Sequence, residues 1–209
     1  MRYLYLHGFG SRGATSGKAT WLAEKLETRG VELERPDLVP GEFSKMTLSG
    51  QLEVLTDLLR GEPCCLVGSS FGGLVGANYA QTHPEVEKLV LLAPAFGFPG
   101  RWVEKLGTKA LEAWRESDAL PVYHHADDRE VGIHYQFYED SLQHEFCPAI
   151  TQPTAIIHGL EDETVSIANS REFLLGSPQT NLVEVEGGHP LDSDEALEAI
   201  WSQVEQLFL

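Results

Sequence analysis

At 209 residues the chain has room for one domain with a sizeable core and needs no linker between separate units. Its formal net charge of −17 repels polyanions, which argues against nucleic acid or an acidic membrane surface as a partner. No apolar run approaches a bilayer span and the opening residues lack a signal-peptide pattern, so a cytoplasmic protein with no membrane attachment is expected.

The chain opens on an apolar strand, Arg2 to His7, that runs into the glycine-rich loop "GFGSRG". Gly8 and Gly10 free that loop to turn, and the Phe9 amide is a candidate donor to a developing negative charge. His7 reads as a structural residue that holds the loop, not as a general base. The following "GATSGKAT" is not a phosphate loop, because Arg12 and Ala19 stand where glycine and Ser or Thr are required. An amphipathic helix from Lys18 to Arg29 stops at Gly30, and a second strand is expected at Val31 to Asp37. A helix over Leu48 to Leu59 leads to the buried strand Pro63 to Gly68. Cys64 and Cys65 lie in that strand, where neighbours point to opposite faces. With Cys147 remote, this pattern suits reduced structural thiols better than a disulfide or redox pair.

Directly after this strand comes "LVGSSFGG", with two adjacent serines. Gly68 and Gly72 flank Ser70 at the spacing G-x-S-x-G, whereas Ser69 has Val67 and Phe71 in those places. A buried strand before and a helix after, Leu74 to Thr82, supply the context in which such a turn holds a serine strained and exposed above a sheet. Ser70 is therefore the candidate nucleophile, and the Phe71 amide at the helix start is a second oxyanion donor.

A strand at Lys88 to Leu92 follows, and then the rhythm breaks. From about 96 to 149 the chain has no clear strand–helix unit but is rich in aromatics, which reads as a helical insertion capping a pocket. Trp102, Tyr135 and Tyr138 are its candidate substrate contacts. His124, His125, Asp127, Asp128, His134 and His144 fall in the same segment without metal-ligand spacing, and no metal is expected.

Beyond it, the strand Pro153 to His158 ends in "HGLEDETV", where Asp162 is the candidate triad acid and Glu161 and Glu163 read as solvated. A helix over Ser166 to Leu175 and a strand over Asn181 to Val185 lead to "EVEGGHP". This places His189 in the loop before the last helix, Asp194 to Leu207. Asp192 is the runner-up acid and otherwise a helix cap. Alternating strands and helices predict an α/β architecture, a mostly parallel sheet of about six strands with helices on both faces, in a single domain spanning 1–209.

The motifs "LHGFGS", "GSSFGG", "HGLEDETV" and "GGH", in this order, resemble the α/β-hydrolase superfamily over nearly the whole length, and more closely its small YqiA/YcfP-type bacterial esterases. The resemblance implies Ser70 as nucleophile, His189 as base, Asp162 as acid and Phe9 with Phe71 as amide donors, acting on a small-molecule ester with neither metal nor organic cofactor. The long aromatic insertion departs from the smallest members. Thioester or carbon–carbon bond hydrolysis on the same triad, or a non-catalytic ligand-binding homologue, are the alternatives. A homodimer is compatible with these patterns.

Overall fold

The computed structural model describes residues 1–209. Five parallel strands form the central sheet: β1 (Arg2–Leu6), β2 (Cys64–Ser69), β3 (Val86–Leu92), β6 (Thr154–Gly159) and β7 (Thr180–Val185), side by side in that order. Between β3 and β6 lies a small antiparallel hairpin, β4 (Leu120–His124) with β5 (Arg129–Ile133). The helices are α1 (Gly17–Glu27), α2 (Leu48–Leu59), α3 (Phe71–Thr82), α4 (Gly100–Leu106), α5 (Thr108–Ser117), α6 (Gln136–Ser141), α7 (Ile167–Gly176) and α8 (Asp194–Phe208). No helix is long and apolar enough to cross a membrane.

The period of two along each strand divides the core into two layers. Leu4, Leu6, Leu66, Leu89, Leu91 and Ile156 face one side, with residues of α2 and α3. Tyr5, Cys65, Val67, Val90, Leu92 and Ile157 face the other, against α1 and α8. The last helix is anchored at its start, where Ser193 Oγ accepts from the Ala196 amide at 3.2 Å and Asp194 and Glu195 occupy the positive first turn. Ser193, not Asp192, is thus the cap.

Two elements differ from the sequence expectation. The stretch Val31 to Asp37 reaches the sheet edge at one bridge only, Glu34 to Leu4, through Tyr5 N–H to Glu34 O and Glu34 N–H to Tyr3 O, both 2.8 Å. Pro36 has no N–H to continue the ladder, and Glu34 is clamped through its side chain by Arg2, 2.7 Å from Nε to Oε1. The segment between β3 and β6 is also not purely helical: α4 and α5 precede the β4–β5 hairpin and α6 follows it. Its buried Trp114, Ile133 and Phe137 join the main core continuously, and Trp114 Nε1 donates to the Ile133 carbonyl at 2.7 Å.

Candidate active site

Three loops at the carboxyl ends of β2, β6 and β7 converge, where open parallel sheets build their sites. The chain leaves β2 and enters α3 through Ser70, whose φ of 52° and ψ of −116° are costly for a residue with a Cβ, on the order of 1–3 kcal/mol. The surroundings hold it there. Its amide donates to Leu92 O at 2.8 Å, and its carbonyl accepts from Gly73 N–H at 2.9 Å and Ala95 N–H at 3.0 Å. The flanking glycines are demanded by space: a Cβ on Gly72 would stand 2.2 Å from Leu6 O, and one on Gly68 would stand 2.6 Å from Gly72 O.

Ser70 Oγ lies 2.9 Å from His189 Nε2, and His189 Nδ1 lies 2.7 Å from Asp162 Oδ2. With Nδ1 donating to the carboxylate, Nε2 is left as the acceptor for the serine proton. The Asp162 side chain has no solvent exposure. Burial works to raise its pKa, but hydrogen bonds from His158, His189 and the Val165 amide outweigh that and hold the carboxyl well below the usual carboxylate range. Its Oδ1 accepts from Thr164 N–H and Val165 N–H, each at 2.8 Å. Lys18 Nζ donates to the Pro190 carbonyl, tying α1 to the loop that carries His189.

His158 was not singled out by sequence reasoning. Fully buried at the end of β6, it places Nε2 2.9 Å from Val165 O and 3.2 Å from Asp162 Oδ2, with Nδ1 2.8 Å from Ser170 Oγ. An Nε2–H tautomer donates toward Val165 O and Asp162 and accepts from the Ser170 hydroxyl, so the ring braces the carboxylate from behind. Its position one turn before Asp162, at a strand end, was the available signal.

The "GFGSRG" loop passes over the serine turn so closely that a Cβ on Gly8 would sit 3.4 Å from Ser70 Cβ. His7 is buried; it donates from Nδ1 to Gly8 O at 3.0 Å and accepts from Leu38 N–H at Nε2, also 3.0 Å. That is the structural role its position suggested. Neither the Phe9 nor the Phe71 amide donates to a carbonyl elsewhere in the loops and turns, which leaves both free for an external acceptor. The Phe9 ring packs among Phe43, Phe71, Phe137 and Trp102 at centroid distances of 5.2, 6.3, 5.7 and 6.0 Å.

A cavity of about 670 Å³ opens beside Ser70, lined chiefly by apolar side chains including Phe9, Phe71, Phe98 and Trp102. Of the three aromatics expected to contact substrate, Trp102 lines this cavity. Tyr135 and Tyr138 are not among the lining residues. They pack against the buried Trp114 indole, at centroid distances of 5.3 and 6.1 Å, where aromatic rings gain edge-to-face contact and burial. Phe96, Phe98 and Val122 line the cavity in their stead.

The chain matches the model of the uncharacterised protein family UPF0227 over residues 2–204. It belongs to that family. Curated protein sequences give no match. Among solved structures, this UPF0227 chain is similar to mouse alpha/beta hydrolase domain-containing protein 10, with a TM-score of 0.83 at 19% identity, covering 98% of this chain and 88% of that one. Est1E from Butyrivibrio proteoclasticus, solved with ferulic acid bound, gives 0.81 at 20% identity over 99% and 88%. A monoacylglycerol lipase from Paleococcus ferrophilus gives 0.75 at 18% over 98% and 92%. At these identities the likeness establishes the α/β-hydrolase fold.

The remaining polar candidates of the UPF0227 chain go to separate places. His134 Nδ1 meets Asp118 at 2.8 Å, His144 Nε2 meets Ser49 Oγ at 2.8 Å, and His124 stacks under Phe43 at 4.2 Å, while His125 lines the cavity. Glu161, Glu163 and Asp192 are exposed, and none of them bonds to His189. Cys64 and Cys65 are buried, and burial pushes their thiols up to about 12 and about 11, which suits packing and not nucleophilic chemistry.

Proposed function

We propose that this protein is a serine hydrolase that cleaves carboxylic esters through an acyl-enzyme intermediate. The observation that carries the reading is the unbroken hydrogen-bonded chain from Asp162 through His189 to Ser70, with the serine held in a strained turn at the mouth of an apolar cavity. Ser70 Oγ attacks the ester carbonyl as His189 Nε2 takes its proton. Asp162 keeps the imidazole in the Nδ1–H tautomer and stabilises the imidazolium that forms. The Phe9 and Phe71 amides receive the oxyanion of the tetrahedral intermediate, and His189 returns the proton to the leaving alcohol. Water, deprotonated by the same histidine, then attacks the acyl-serine and releases the acid. Residues 96–149 act as a cap whose Trp102 and Phe98 wall the acyl or aryl group.

The test is intact-mass labelling with a fluorophosphonate, alongside hydrolysis of p-nitrophenyl esters of increasing acyl length. One adduct on the wild-type protein, none on Ser70→Ala, and a turnover loss of about 10⁴ or more in that variant are expected. A folded wild-type protein that neither labels nor turns over any ester would sink the reading.

A further inference from the structure

The chain has 32 Asp and Glu against 15 Lys and Arg, yet no carboxylate lines the cavity beside Ser70. Its charged lining residues are Arg101 and Lys105, with His125 nearby among the same set. Arg101 and Lys105 stand one turn apart on α4, so both reach the cavity from a single helix face. Six of the fifteen Lys and Arg residues, Arg2, Arg12, Arg29, Lys45, Arg129 and Arg171, hold carboxylates. Arg101 and Lys105 take part in none of these pairs. Like charges at this spacing repel each other, and a bound anion would remove that repulsion.

The neighbouring backbone makes room for the guanidinium. Gly97 has a φ of +82°, and a Cβ there would meet Arg101 Nε at 3.3 Å and Asn169 Nδ2 at 3.1 Å. Arg101 and buried Asn169, whose Nδ2 donates to Phe96 O at 2.5 Å, therefore approach one point at the edge of the cavity. The result is an aromatic chamber with a cationic rim in a molecule of opposite overall charge. Low-dielectric walls focus such a local field on a charged ligand.

We infer that the substrate is an ester with an apolar body and an anionic tail, a carboxylate or a phosphate, which Arg101 and Lys105 receive while the ester carbonyl lies at Ser70. The inference rests on the hydrolase reading and deepens it by naming the substrate class. Arg101 supplies a planar fork that pairs with two oxygens of the anion, and Lys105 supplies a mobile point charge.

The experiment compares p-nitrophenyl hydrogen adipate with its uncharged methyl ester, and a phosphate-tailed analogue with its dimethyl phosphate triester. In the intact protein kcat/KM favours at least one anion over its neutral partner by about tenfold, less at high salt because the rim is exposed. Arg101→Gln and Lys105→Gln each reduce that ratio about threefold. Lys109→Gln, which removes the same charge outside the cavity, leaves the ratio in place. The anion that is preferred names the tail. Ratios at or below one for both pairs, or an equal fall with Lys109→Gln, overturn the inference while leaving the ester reading intact. Should no ester be turned over, calorimetry of monomethyl adipate against dimethyl adipate decides it separately: tighter binding of the acid upholds the anion site, and equal binding removes it.

Discussion

Replacing Asp162 by Asn keeps the shape of the side chain and changes what it can accept. The two amides of Thr164 and Val165, both at 2.8 Å, need an oxygen opposite them. Turning the carboxamide the other way would set its NH2 against both, at about 1–3 kcal/mol for each donor left unpaired. The Asn oxygen therefore stays with the amides, and its NH2 faces His189 Nδ1 and His158 Nε2. His189 must then accept at Nδ1 and carry its proton on Nε2, aimed at Ser70 Oγ, where no base remains. We expect kcat to fall by about 10⁴, equivalent to about 5.5 kcal/mol of barrier, with fluorophosphonate labelling slowed in proportion. The assay is p-nitrophenyl ester turnover on protein shown to be folded by circular dichroism, with Asp192→Asn in parallel. A folded Asp162→Asn protein within tenfold of wild type, or a larger loss in Asp192→Asn, would refute the tautomer argument.

Two further predictions concern stability. Burial lowers the pKa of His7 against the opposing hydrogen bond to Gly8 O and the Asp37 charge, so the unfolded chain binds the proton more readily. The stabilising contribution is complete above the unfolded value of about 6.5 and is lost as pH falls toward the native one. Urea midpoints measured from about pH 8 to about pH 5 should decline, and less steeply in His7→Gln; parallel slopes would remove His7 as the cause. Gly72→Ala drives a Cβ to 2.2 Å from Leu6 O and 2.5 Å from His7 O, both backbone atoms. We expect a cost of about 3 kcal/mol and a melting temperature lower by roughly 6–12 °C, and an unchanged melting temperature would contradict the packing.

The glycine spacing around Ser70 was readable because the backbone approach leaves no alternative there: any side chain at 68 or 72 collides with main chain. Asp162 and His189 were readable because each follows a strand of the sheet, and strand ends of a parallel sheet meet. Four features escaped for local reasons. Val31 to Asp37 has strand composition, but pairing depends on N–H groups, and Pro36 supplies none. The β4–β5 hairpin turns through Asp128 at a φ of 51°, without the glycine that marks most such turns. Tyr135, Tyr138 and Trp102 are all aromatic and all pack against Trp114, so composition alone does not separate the one ring that lines the cavity from the two that do not. His158 escaped because a buried histidine at a strand end reads like any other core residue until its partners are known.

Phe9 joins two duties in one residue. In the proposed mechanism its amide receives the oxyanion, and its ring is wedged among Phe43, Phe71, Trp102 and Phe137, drawn from the serine turn, the inserted segment and the loop before α2. No substitution can delete a backbone donor, but repacking those rings would tilt it. A lineage that reshapes the aromatic wall to admit a new molecule therefore moves the donor as it does so. Selectivity and turnover in such a scaffold are inherited together, and a change in one has to be followed by repair of the other.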